Sequence, residues 1–199
     1  MEAAVSEVSV LLARDMFELA GFLVQLNRKY AGNPEESSEV AADLYILNPR
    51  PRQEGTPPGV VLGAADLSYL ERASVKVRGW HTDSFATARL ASGSGIFDFV
   101  EESALAAAKR YFRNAPFEKV LVLSRLPARR DAREASIRLL KGRGVDRVVE
   151  FTTVLKALVD GVKVNKKYVG DDLLEVIRTL KSYKLFAGPQ MDLFRKARK

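Results

Sequence analysis

Residues 119–151 read KVLVLSRLPARRDAREASIRLLKGRGVDRVVEF, and this stretch decides the class of fold. Lys119–Ser124 is a compact apolar run of the kind that lies inside a sheet with both faces covered. Asp131–Lys141 carries a helical pattern, Gly142 and Gly144 punctuate it, and Arg147–Phe151 is an apolar strand again. Strand, helix and strand in that order form a βαβ unit with parallel strands. Upstream, Phe97–Arg113 has helical periodicity through Phe97, Val100, Ala104, Ala107, Ala108, Tyr111 and Phe112. Ala73–Trp80 alternates as a strand, with Val75 and Val77 on one face and Lys76 and Arg78 on the other. Asp43–Asn48 and Phe22–Leu26 read as two earlier strands. Ser6–Ala20 reads as an opening helix, with Val5, Val8, Leu12, Met16 and Leu19 along one side and Gly21 as its stop. Downstream, Thr152–Val159 is a short helix, and Asp171 caps a last one that buries Leu173, Leu174, Ile177 and Leu180. The order predicts a single α/β domain over residues 1–199, an α/β/α sandwich on a mixed sheet. Its early strands are antiparallel and its late ones parallel. The competing architecture is a doubly wound sheet with every strand parallel, so strand direction discriminates.

A chain of 199 residues, 47% hydrophobic and 29% charged, can bury a sizeable core and is not a disordered polymer. No apolar run reaches the roughly 18 residues that a membrane span needs. The opening MEAAVSEVSVLLARD carries acids where a signal peptide has bases, which predicts a cytoplasmic protein. The absence of cysteine excludes disulfides, thiolate nucleophiles and zinc knuckles, and the single histidine, His81, excludes a two-histidine metal site. ASGSG, at 91–95, lacks the Lys-Ser/Thr ending of a phosphate loop, and no nucleophile elbow accompanies His81. The net charge of +7 is uneven: Lys109 to Arg147 holds twelve basic and four acidic residues, and the rest is close to neutral. Clustered cations of this kind suit a phosphate backbone; they also keep a small protein soluble.

The order helix–strand–strand–strand–helix–strand–helix–strand, over about residues 7–151, resembles the restriction-endonuclease-like fold of the PD-(D/E)XK nuclease superfamily. Residues 152–199 would then be a helical extension. Glu7 opens a helix ending in Leu19-Ala20-Gly21-Phe22, similar to the helix-to-glycine turn of resolvase-like members. Asp43-Leu44-Tyr45-Ile46 resembles the strand that begins with the metal-binding aspartate. Val75-Lys76-Val77-Arg78-Gly79-Trp80 falls where the family has its acid-x-Lys strand. In that site, the resemblance implies, an aspartate and a second acid hold magnesium. A lysine two residues on shares their face of the strand and helps to activate water. Glu7 would be an assisting helix acid.

This sequence keeps the aspartate, but Lys76 stands in the place of the acid and Arg78 in the place of the lysine. A cation there repels magnesium, and arginine does not release its proton. Two outcomes follow from the resemblance. In one, the metal site has degraded and the protein binds without cutting, with no cofactor. In the other, a magnesium-dependent nuclease has moved its second acid to Glu71, Asp83, Glu101 or Glu102. Nucleic-acid contacts would come from Arg28 and Lys29 after the first strand, from Trp80 and His81 beyond Arg78, and from Arg125, Arg129, Arg130 and Arg133 around the start of a helix. Asp131 and Glu134 sit among those arginines and can pair with them instead. A third reading is an interaction protein, such as a homodimer, whose basic surface is incidental.

Overall fold

The computed structural model describes residues 7–27, 42–55, 58–79 and 95–186. Its first element, α1 (Glu7–Leu19), starts with a glutamate, which suits the positive end of a helix dipole. Ser9, Ala13, Met16 and Phe17 are buried, spaced i, i+4, i+7 and i+8 on one side. That face is turned away from the expected stripe, and Val8 is half exposed. Small residues at Ser9 and Ala13 let the helix approach the sheet closely, while Phe17 meets Phe22 edge-on at 5.4 Å. Gly21, with φ of 92°, makes the left-handed turn between them.

Among the described residues six strands form one mixed sheet: β1 (Leu23–Leu26), β2 (Leu44–Leu47), β3 (Val61–Leu62), β4 (Arg72–Arg78), β5 (Glu118–Leu123) and β6 (Arg147–Glu150). Their order across the sheet is β1-β2-β4-β5-β6-β3. β1, β2 and β4 pair antiparallel, and β4, β5, β6 and β3 pair parallel. The all-parallel architecture is therefore excluded, and the chain has the α/β fold with a mixed sheet that its sequence order predicts. β4 is the strand at which direction changes. Like β5 it is buried on both faces, as a strand in the middle of a covered sheet must be.

The register divides the side chains between the two faces. Tyr45, Ser74, Lys76, Leu121, Leu123 and Val148 share one face, because directly paired residues point the same way. Tyr45, Leu121, Leu123 and Val148 join a core with Ala108 of α2 (Glu102–Tyr111), Phe112 at its C-cap and Leu140 of α3 (Arg130–Gly142). The alternate set, including Ile46, Val75 and Val122, is left for the opposite face, and α1 packs on β1, β2 and β4. That is the α/β/α layering.

Two elements differ from the sequence reading. The helix expected over 97–113 is broken: a 3-10 turn, Asp98–Val100, is followed by extended Glu101 and only then by α2. Phe97 and Phe99 are both buried, and residues two apart lie on nearly opposite sides of a helix, so one continuous helix could not bury both. The strand β3 is only two residues long. It gains its place from tertiary bonds: Val148 N donates to Val60 O at 2.7 Å, and Arg147 Nη1 donates to Pro58 O at 2.7 Å.

The chain divides into two compact units, residues 1–157 and 158–199, and the first contains the whole sheet. The boundary falls inside α4 (Phe151–Gly161). In the second unit Asp171 caps α5 (Asp172–Ser182) as expected, accepting from Leu174 N at 3.0 Å. Lys181 Nζ donates to Val159 O at 2.6 Å, placing a cation on the terminal carbonyls of α4. The loop 31–39 and the basic tail 195–199 lie outside the described residues.

Candidate functional site

Because Leu44 pairs with Val75, the residues just beyond, Asp43 and Lys76, face each other across β2 and β4. Asp43 stitches these strand ends together. Its backbone N–H donates to Val75 O at 2.9 Å, its Oδ2 accepts from Val77 N at 2.7 Å, and its Oδ1 lies 3.4 Å from Lys76 Nζ. Asn27 N donates to Asp43 O at 2.9 Å, which brings the end of β1 into the same row. Lys76 has a side chain only 6% exposed, so its ammonium needs the carboxylate beside it. The cation next to Asp43 is thus Lys76, with buried Ser74 two residues earlier on the same face. Arg78 is tied elsewhere: its Nη2 donates to Gly95 O at 2.6 Å and its Nη1 to Val77 O at 3.3 Å.

Among the described residues the donor set does not fit magnesium. Asp43 brings one carboxylate, already engaged by an ammonium and an N–H. Among the described residues no group of three or more histidine or carboxylate side chains is placed to hold a metal ion. Glu71, one of the candidate relocated acids, precedes β4 and pairs with Arg72 at 2.7 Å. Four residues of strand lie between it and Lys76, a separation of about 16 Å. It is at the wrong edge. Glu101 and Glu102 are exposed at the start of α2, and Glu7 is exposed at the start of α1.

The ends of β4, β5 and β6 form the carboxyl edge of the parallel part of the sheet, and Asp43 is at the same edge because β2 runs the other way. Ligands of open α/β sheets bind outside such carboxyl ends. Arg78, Leu123 and Glu150 stand in one row there. Glu150 accepts from Arg133 Nη2 at 2.6 Å, from Arg133 Nη1 at 3.2 Å and from Leu126 N at 2.8 Å. Burial would raise the Glu150 pKa, but the hydrogen bonds from Arg133 and Leu126 N outweigh it and hold the carboxyl below its ordinary value. The same bond holds Arg133 above its own ordinary value.

Arg133 is therefore anchored inward, whereas Arg125 and Arg129 are exposed on the turn between β5 and α3 and Arg130 is exposed at the first position of α3. Arg130 Nε bonds Glu134 one helical turn on at 2.9 Å, an exposed pair of small worth. Arg125 lies close enough to Glu150 for its charge to help lower that carboxyl's pKa, and among the described residues Arg129 has no carboxylate partner. The rest of the basic stretch is divided from these four by topology. Helices α2 and α3 return antiparallel to the strands, so Lys109, Arg110, Arg113, Lys119, Lys141, Arg143 and Arg147 lie toward the opposite edge. There Lys119 pairs with Asp146 at 2.8 Å, and Arg147 pairs with Glu118. Apart from Arg138, which is exposed midway along α3 and 3.9 Å from Glu134, the basic residues of this stretch fall toward two edges.

Arg28, Lys29, Trp80, His81 and Asp83 lie outside the described residues. Glu150 went unread in the sequence because nothing local marks it: its partner Arg133 is seventeen residues away. Comparison of the chain with protein families, with characterised proteins and with solved structures gave no match. No described helix is long and apolar enough to cross a membrane.

Proposed function

We propose that this chain is a nuclease-fold protein that binds nucleic-acid backbones at the carboxyl edge of its sheet without cutting them. The observation that carries this reading is the state of Asp43, which is held by Lys76 and Val77 N–H while exposed Arg125, Arg129 and Arg130 stand on the turn and the first residue of α3 at the same edge. The geometry also favours one alignment of the resemblance. Ser74-Val75-Lys76 matches acid-x-Lys better than Lys76-Val77-Arg78, because Lys76 is the cation beside Asp43. A serine then stands where the second acid would be. A hydroxyl supplies no charge to a divalent cation, so the site keeps an aspartate and a lysine that neutralise each other.

With phosphate contacts and no recognition helix in a groove, binding is sequence-independent and salt-sensitive. The test is fluorescence anisotropy of the full chain with labelled single- and double-stranded DNA of two unrelated sequences, between 50 and 200 mM salt. Four to six phosphate contacts predict a loss on the order of a hundredfold or more across that range. Affinity confined to one sequence and indifferent to salt, or no binding at low salt, would overturn the reading; the latter would favour an interaction protein. Magnesium-dependent cleavage that disappears in Asp43→Ala would instead favour the relocated-acid nuclease.

A further inference from the structure

We propose that a cavity at the opposite edge of the sheet from Asp43 is a binding site for a small aromatic anion. It has a volume of about 430 Å³, within the usual span of ligand pockets. β1, β2 and β4 form its floor and the end of α2 its wall, through Leu23, Leu47, Phe112, Tyr111, Arg72 and Arg113. Two large apolar side chains that solvent reaches meet here: Leu23 is 62% exposed and Tyr111 is 47% exposed. Exposed apolar groups that converge on one concavity mark a recognition surface more than scattered ones do.

The aromatic wall is already stacked together without a ligand. Tyr111 stacks on Tyr45 with ring centroids 4.5 Å apart, and Phe112 closes edge-on at 5.0 Å and stacks in turn on Phe117 at 5.3 Å. A flat ring laid on Tyr111 therefore orders little of the protein. The charge of the ligand follows from the two guanidinium groups. Arg72 holds Glu71, whose side chain is half exposed, in a pair that a bound anion can displace. Among the described residues Arg113 has no carboxylate partner, and its backbone sits in the left-handed region at φ of 51°. Among the described residues no carboxylate lines the cavity. Apolar floor, stacked aromatic wall and two cations define a flat, anionic ligand. This inference is independent of the nucleic-acid reading.

The experiment is a fluorescence titration of the full chain with anilinonaphthalene sulfonate, and with phenylnaphthylamine, which shares its rings and lacks the sulfonate. The expected result is saturable one-site binding of the sulfonate, about tenfold or more tighter than that of the uncharged compound. Arg113→Gly removes the cation at a backbone conformation glycine favours, so thermal unfolding should stay close to wild type while sulfonate affinity falls about tenfold. Leu23→Glu, on a side chain already exposed, should weaken it similarly, and Lys141→Ala, away from the cavity, should not change it. Absence of saturable binding, equal affinity for both compounds, unchanged affinity in Arg113→Gly, or an equal loss in Lys141→Ala would each overturn the proposal.

Discussion

Asp43 and Lys76 form a cross-strand pair in which the lysine is buried and the aspartate partly so, and the two partners can be separated by a double-mutant cycle. Lys76→Met keeps the stem and removes the ammonium, leaving a carboxylate still bonded to Val77 N. Losing one member of such a pair should destabilise the fold by about 2 kcal/mol in urea unfolding. Asp43→Asn should cost less in the Lys76→Met background than in wild type, by about 1 kcal/mol. Additive losses would show that the pair is close without being coupled. Glu150 gives a pH prediction. Its folded-state pKa lies below the ordinary value, so its stabilisation is complete above the unfolded-state value, about 4.3. It is lost as pH falls through the lower folded value. Glu150→Gln should therefore lower stability by about 1–3 kcal/mol at pH 7, and the gap from wild type should narrow at pH 3. Urea midpoints at the two values check this.

Helix ends were the most legible elements, because capping chemistry is local. Gly21 and Asp171 act as their types predict, and the end of α3 offers a sharper case. Gly144, at φ of 90°, follows the helix, and Val145 N donates to Leu140 O at 3.0 Å. Gly142 is still helical, and a Cβ there would meet nothing within 4 Å among the described residues. The two glycines should respond in opposite directions. Gly142→Ala should stabilise by about 0.4–1 kcal/mol, and Gly144→Ala should destabilise by about 1–2 kcal/mol through its left-handed backbone. Thermal melting of both variants decides. The helix at 97–113 was less legible, since its apolar pattern is compatible with one long helix. Only the demand to bury Phe97 and Phe99 together breaks it.

Between Lys109 and Arg147 most of the basic residues fall toward two edges of the sheet, because each crossover helix runs opposite to the strands it joins. If the carboxyl edge binds nucleic acid, the arginines there should dominate the salt dependence. The variant should combine Arg125→Ala, Arg129→Ala and Arg130→Ala, sparing Arg133, whose guanidinium holds Glu150. Its slope of log affinity on log salt should be shallower by about 2–3 units, with far-UV circular dichroism unchanged. An equal change on replacing Lys141 and Arg143 would place the interface at the other edge.

Sequence alone determined the α/β class, the mixed strand order and most element positions, because periodicity, glycine and caps act within a few residues along the chain. It also determined which residue types are absent, and with them cysteine and histidine chemistry. Partnership was decided only by the tertiary structure. The register of β2 on β4 sets Lys76 beside Asp43, and the crossovers bring Arg133 to Glu150 and the end of α2 over β1. Asp43 and Lys76 are 33 positions apart and Arg133 and Glu150 are 17, and β3, two residues long, exists only because β6 pairs with it. No local pattern encodes such distances; they follow from burying both faces of one sheet at once.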